Sequence, residues 1–180
     1  MPRTASIRPA RTYRTGAGAR TARCLALLAD AAIVVWTLVR FPSLPEVIPV
    51  HFDMSGTADR MGERGSLLWL TALMVALVIS LAWLSTRPRL FNLPVELTPG
   101  NAQSVYREGE RMMVCLLVAL VVIHLGAAMQ VMGAGAGLPL VGAGVAACFL
   151  VTPIALVRIS RAADRSADAS DAEGGTRLRS

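Results

Sequence analysis

Four apolar blocks, each roughly 16 to 21 residues long, constrain this chain more than any other feature. At about 1.5 Å of rise per helical residue, a block of ~20 residues crosses the ~30 Å hydrocarbon core of a bilayer. Only closed hydrogen bonding within each segment is viable there, which makes helices the expected form. With 54% hydrophobic and 17% charged residues and a mean hydropathy of +0.53, the chain lacks the polar surface of a water-soluble domain. The expected fold class is therefore an all-α integral membrane protein with four transmembrane helices, cytoplasmic N and C termini, and one long structured outer loop.

The blocks place the spans at residues 24–41, 66–86, 112–132 and 138–157, with an outer loop at 42–65 and a cytoplasmic loop at 87–111. The first is short: Cys24 to Val39 reaches only about 24 Å, so Arg23 and Arg40 must snorkel or Phe41 must be borrowed. Ser66 is read as the N-cap of the second span, whose Trp69 and Trp83 sit at interfacial levels. Thr98 and Pro99 read as N-cap and first residue of a helix running into the third span. Gly142, Gly144, Ala146 and Ala147 give the fourth span a small-residue face that lets backbones approach, and Pro153 bends it. Residues 1–22 and 158–180 read as disordered tails flanking a membrane domain that begins at residue 23.

All 18 basic residues are arginines, and the net charge is +6. Fifteen fall in the two tails and the 87–111 loop, and three, Arg40, Arg60 and Arg64, fall on the other side. With acids counted, the termini side nets +8 and the outer loop −1, which is the positive-inside pattern. The basic balance thus orients the chain and implies no nucleic acid. The acid-free N-terminal run from Arg3 to Arg23 reads as a solvated tail that also suits anionic lipid. Cys24, Cys115 and Cys148 have no C-x-x-C spacing and none lies in the outer loop, so neither a disulfide scaffold nor a zinc site is implied. G-x-S-x-G, H-E-x-x-H and Walker patterns are missing, so no enzyme and no cofactor are expected.

The outer loop carries the richest pattern. Pro42, Pro45 and Pro49 favour extended backbone, Ser55-Gly56 marks a turn, and His51, Asp53, Asp59 and Glu63 lie close enough to converge around it. Val47, Ile48, Val50, Phe52 and Met54 supply apolar contacts. A hydrogen-bonded turn with His51 held against Asp59 is favoured over a metal site, because the Asp53 to Gly56 spacing does not fit an EF-hand.

The run Leu44-Pro45-Glu46-Val47-Ile48-Pro49-Val50-His51-Phe52, followed by Gly56, Asp59 and Gly62, closely resembles the LPxxIPxHxxxxGxxD signature of the bacterial membrane domain of unknown function found in SdpI-type immunity proteins. Phe91-Asn92-Leu93-Pro94-Val95, with Thr98, Asn101, Gln103 and Tyr106, resembles the cytoplasmic segment that follows in members consisting of this domain alone. The resemblance covers roughly residues 25–130. It implies a membrane protein of the toxin-immunity or envelope-sensor type, with Pro45, Pro49, His51, Gly56 and Asp59 shaping a recognition loop. The longer relatives carry further spans and an Arg-Thr-Pro motif that this chain lacks.

Two ionisable residues fall inside spans, where each is costly and points to a role. Asp30 lies about 10 Å above Arg23 and His124 about 20 Å above Arg111, which places them at different depths. Ser80 and Thr152 are the expected partners of Asp30, and Thr37 and Thr71 those of His124. The alternative function is an accessory subunit of a transporter, with Asp30 and His124 lining or bracing the path. The implied partners are the lipid bilayer, a secreted peptide toxin or transporter subunits, and a second copy of the chain.

Overall fold

The structure, a computed structural model, describes residues 8–53, 55–135 and 137–177. Helices α1 (Ala17–Arg40), α2 (Gly65–Ser85), α3 (Ala102–Val131) and α4 (Gly137–Arg177) are each long and apolar enough to cross a membrane. The chain is a multi-pass membrane protein. Four crossings leave the two termini on one face, here called the terminal face; the connection between α1 and α2 lies on the opposite one.

Helix α3 is the centre of the bundle. Its apolar window is 39% buried, against 22% for α1 and α2 and 11% for α4. It packs most extensively on α4, where glycines remove the side chains that would hold the backbones apart. A Cβ on Gly144 would lie 2.5 Å from Ile123 Cγ1, and one on Gly126 would lie 2.7 Å from the Gly137 carbonyl oxygen. The small-residue face of α4 is thus used at Gly144, whereas Gly142 meets open space. Ala26, Ile33, Val78, Ala82, Leu117, Val121 and Ala128 form the core shared by α1, α2 and α3. Trp69, Leu73, Phe149 and Leu150 face outward, as lipid contact requires.

The outer loop is not simply extended. It forms a β-hairpin, β1 (Val47–Phe52) and β2 (Ala58–Glu63), paired antiparallel with Val47 opposite Glu63 and Pro49 opposite Met61. The register breaks on either side of His51, so Val50 and Asp59 are the extra residues of two bulges. Proline has no N–H to give a ladder, and a bulged, two-stranded sheet tolerates it at Pro49. Met54 lies outside the described residues.

Several boundaries and caps differ from the sequence expectation. Helix α1 begins at Ala17, seven residues before Cys24, so residues 17–22 extend the short first block and lengthen it below Arg23. Residues 8–15 of the expected disordered tail form a strap across the terminal face, held by Arg8 to the carbonyls of Arg89 (2.8 Å) and Phe91 (2.5 Å) and by Thr12 and Ala10 to Gln103; residues 1–7 lie outside the described set. Helix α4 continues through Pro153 to Arg177, far into the expected polar tail. At α2, Ser66 is not the N-cap: its hydroxyl donates back to the Glu63 carbonyl at 2.7 Å, and Arg64 precedes the first helical residue. At α3, Thr98 and Asn101 exchange side-chain to backbone hydrogen bonds at 2.9 and 3.2 Å, a reciprocal cap set one turn ahead of Ala102.

Candidate functional site

The hairpin turn is built by one carboxylate. Asp53 Oδ1 accepts from the Ser55 hydroxyl (2.6 Å), the Ser55 amide (2.8 Å) and the Thr57 amide (2.9 Å), and Gly56 adopts a φ of +85° that a side chain would strain. These donors, the Ser55 hydroxyl first, hold the Asp53 carboxyl below its ordinary value. His51 Nδ1 lies 2.5 Å from Asp59 Oδ1 across the strands, with both side chains about half exposed (53% and 46%). Glu63 does not join them; it stands at the far end of β2 opposite Val47.

The hairpin is seated on the bundle. Gln130 near the end of α3 donates from Nε2 to the Gly56 carbonyl (3.3 Å) and accepts at Oε1 from the Leu138 amide (2.9 Å), so one side chain ties the turn to the start of α4. Ile48 is buried, and at the base Arg64 donates to the Leu44 carbonyl (3.3 Å) and covers the Phe41 ring. Pro45 lies between these base contacts and β1. The seating leaves Val47, at the base of the hairpin, and Met61, two residues from Asp59, more than half exposed. Gln130 escapes sequence reasoning because it sits inside an apolar block with nothing to distinguish it from an interfacial polar residue.

Inside the bundle the sequence expectation is overturned. Asp30 and His124 meet directly, with His124 Nδ1 2.7 Å from Asp30 Oδ1 and both residues buried. Ser80 and Thr152, the expected partners of Asp30, face outward, and the Thr152 hydroxyl bonds to its own helix at the Cys148 carbonyl. The depth arithmetic failed because it set Arg23 and Arg111 at one level. Arg23 lies six residues, about 9 Å, inside α1. Its long side chain points back toward the terminal face, reaching Ser85 Oγ (3.2 Å) and Glu110 Oε1 (3.7 Å). Asp30 is correspondingly deeper, level with His124. His124 Nε2 and Thr37 Oγ1 are buried without a hydrogen-bond partner, while Thr71 bonds to its own helix at Leu67.

A third cluster closes the terminal face. Glu110, 3% exposed, accepts from Tyr13 (2.9 Å) and lies within 3.7 Å of Arg11 and Arg23. Burial, and next the bond to Glu110, push the Tyr13 phenol above its ordinary range. Arg11 and Arg107 cover the Tyr13 ring, and Glu108 pairs with Arg111 and Arg158. The second sequence motif lies here as scaffold: Phe91 fills the space above Gly109, Asn101 holds the Glu96 carbonyl, and Tyr106 reaches the Pro9 carbonyl. Among the described residues no three His, Cys, Asp or Glu side chains are grouped to hold a metal.

Comparison with known proteins bears on the hairpin. Residues 31–75 match a domain of unknown function, DUF1648. An uncharacterized protein of Archaeoglobus fulgidus is 33% identical over 78 residues, 39% of this chain and 43% of that protein. The alignment therefore spans less than half of the relative's length. No solved structure matches the chain. These likenesses support a membrane-type domain of unknown function. The matched segment holds Pro45, Pro49, His51, Gly56 and Asp59, begins one residue past Asp30 and stops well before His124.

Proposed function

We propose that the protein recognises a ligand outside the cell through its hairpin, as a bacterial cytoplasmic-membrane protein of the SdpI-like toxin-immunity or envelope-sensor type. The termini then face the cytoplasm, as the arginine distribution favours. The observation that carries this reading is the seating of the hairpin: Gln130, Ile48 and Arg64 fix the backbone, while the imidazole and carboxylate of His51 and Asp59 stay open on a hairpin that also exposes Val47 and Met61. A rigid mount with an exposed polar pair and apolar neighbours is the composition of a recognition surface, because little ordering remains to be done on binding. The reading is non-enzymatic. Its test is survival and membrane potential in a host lacking the gene, complemented with wild type or His51→Ala at equal abundance and challenged with secreted membrane-active peptides. Protection by wild type alone supports the role; equal survival of both strains overturns it.

The second reading is an accessory subunit of a transporter. It is favoured by the buried Asp30–His124 contact and by the unpartnered Nε2 and Thr37 hydroxyl near the core, since ionisable groups within spans commonly serve ion or proton movement. Asp30→Asn separates the two: ligand recognition tolerates it, and transport does not.

A further inference from the structure

Two hollows lie along the seam between α1 and α3, and they meet. The first, about 580 Å³, opens at the terminal face and is lined by Tyr13, Arg14, Arg107, Glu110 and Arg111 before narrowing at Ala22, Val114 and Cys115. The second, about 680 Å³, starts at the same Ala22 and runs between Leu25, Ala29 and Trp36 on one side and Val118 and Leu125 on the other. From Ala22 to Trp36 is 14 residues, about 21 Å of helix, more than the ~15 Å half-thickness of a hydrocarbon core. Val114 and Val118 are one turn apart on α3, so the floor continues from one hollow into the next.

The chemistry changes abruptly along this path. The mouth holds three guanidinium groups and one carboxylate, and that carboxylate is already faced by Arg11 and Arg23. Arg14 and Arg107 are exposed, and Arg107 rests on the Tyr13 ring. The mouth therefore carries an excess of positive charge. The groove beyond it is lined by alanine, valine, leucine, isoleucine and tryptophan side chains alone, and offers nothing to hold a water molecule. One further atom lacks a hydrogen bond: Glu110 Oε1 is buried at the mouth with the Arg23 guanidinium 3.7 Å away.

We propose that this seam is a binding site for one anionic phospholipid with a hydroxyl-bearing headgroup, of the phosphatidylglycerol kind. Arg14 and Arg107 take the phosphate beside the Arg111–Glu108 pair, a glycerol hydroxyl donates to Glu110 Oε1, and one acyl chain lies in the groove toward Trp36. Basic pockets between spans next to an apolar seam bind lipid headgroups by this combination. A bare phosphate cannot use the groove, and a zwitterionic choline headgroup lacks both the net charge and the donor. A second copy of the chain would fill the groove but leave the arginines without anions.

The test is native mass spectrometry of the full chain released from nanodiscs of equal phosphatidylglycerol and phosphatidylcholine. Wild type should retain one phosphatidylglycerol in preference to phosphatidylcholine, and inorganic phosphate should leave that adduct in place. Arg14→Gln with Arg107→Gln should weaken it by about 30-fold, the factor two arginines contribute near a membrane surface. The control, Arg161→Gln with Arg165→Gln, removes the same charge elsewhere on the terminal face and should keep it. Ala29→Trp, which fills the groove without touching the mouth, should lose the adduct with charge unchanged. Equal retention of the two lipids, displacement by inorganic phosphate, equal loss in the control, or a dimer of wild type that Ala29→Trp dissociates would each overturn the proposal.

Discussion

Replacing Asp30 with leucine should destabilise the bundle by about 2 kcal/mol, and replacing His124 as well should restore part of that loss. The pair is 2.7 Å apart and buried, and His124 Nε2 is already unsatisfied. Asp30→Leu therefore strands both ring nitrogens in an apolar interior. In a soluble core, orphaning one member of a buried ion pair costs ~3–5 kcal/mol. In a bilayer the separated helices are also without water and find other partners, and interhelical hydrogen bonds average ~0.6 kcal/mol with a ceiling near ~1.7. The short, fully buried contact belongs near that ceiling, so a coupling of roughly 1.5 kcal/mol is expected, about 13-fold in the equilibrium constant. His124→Leu removes the unsatisfied Nε2 but strands the buried Asp30 carboxyl, so the two single substitutions should cost comparable amounts. Asp30→Asn, which keeps an oxygen for the imidazole N–H, should stay near wild type. The assay is a double-mutant cycle on unfolding in bicelles by steric trapping. Additive effects within ~0.3 kcal/mol would refute this account of the contact.

Gly144→Val should weaken the α3–α4 interface by about 1–3 kcal/mol, because even its Cβ overlaps Ile123, while Gly142→Val, two residues away and facing open space, should be neutral; thermal unfolding in detergent compares the two. Gln130→Leu should release the hairpin turn without unfolding the helices, read as faster hydrogen exchange at Gly56 and Thr57; unchanged exchange would show that Ile48 and Arg64 suffice to seat the hairpin. The contribution of Asp53 to the turn follows from its depressed carboxyl: it is present above the ordinary value of 3.8 and lost only as pH falls through the lower folded value. Amide shifts of Ser55 and Thr57 followed by NMR should therefore move below pH 3.8, and a midpoint above it would sink the assignment.

Helix number and span placement were legible because burial in lipid leaves one repeating requirement, an apolar length, that any reader of the sequence can count. The turn at Ser55-Gly56 and the nearness of His51 to Asp59 were legible for a local reason: eight residues and a tight turn leave few places for the two side chains to go. What was hidden depended on relative axial position. Nothing in the block from Cys24 to Val39 states that α1 starts at Ala17, since glycine and threonine there weaken the helical signal, and that offset alone misplaced Asp30. The strap was hidden for a similar reason. Its arginines look like a solvated run until Tyr106, Gln103 and Glu110 on α3 supply acceptors and donors about a hundred positions away. The strands of the hairpin were masked by Pro49, which only a bulged two-stranded pairing accommodates.

Helix α3 carries Glu110, His124 and Gln130, the residues that hold the strap, the buried pair and the hairpin. From the first to the last is 20 residues, about 30 Å, the full depth of a hydrocarbon core. One continuous helix therefore joins the strap on the terminal face, the buried pair and the hairpin on the opposite face, so a substitution that displaced α3 along its axis would disturb all three at once.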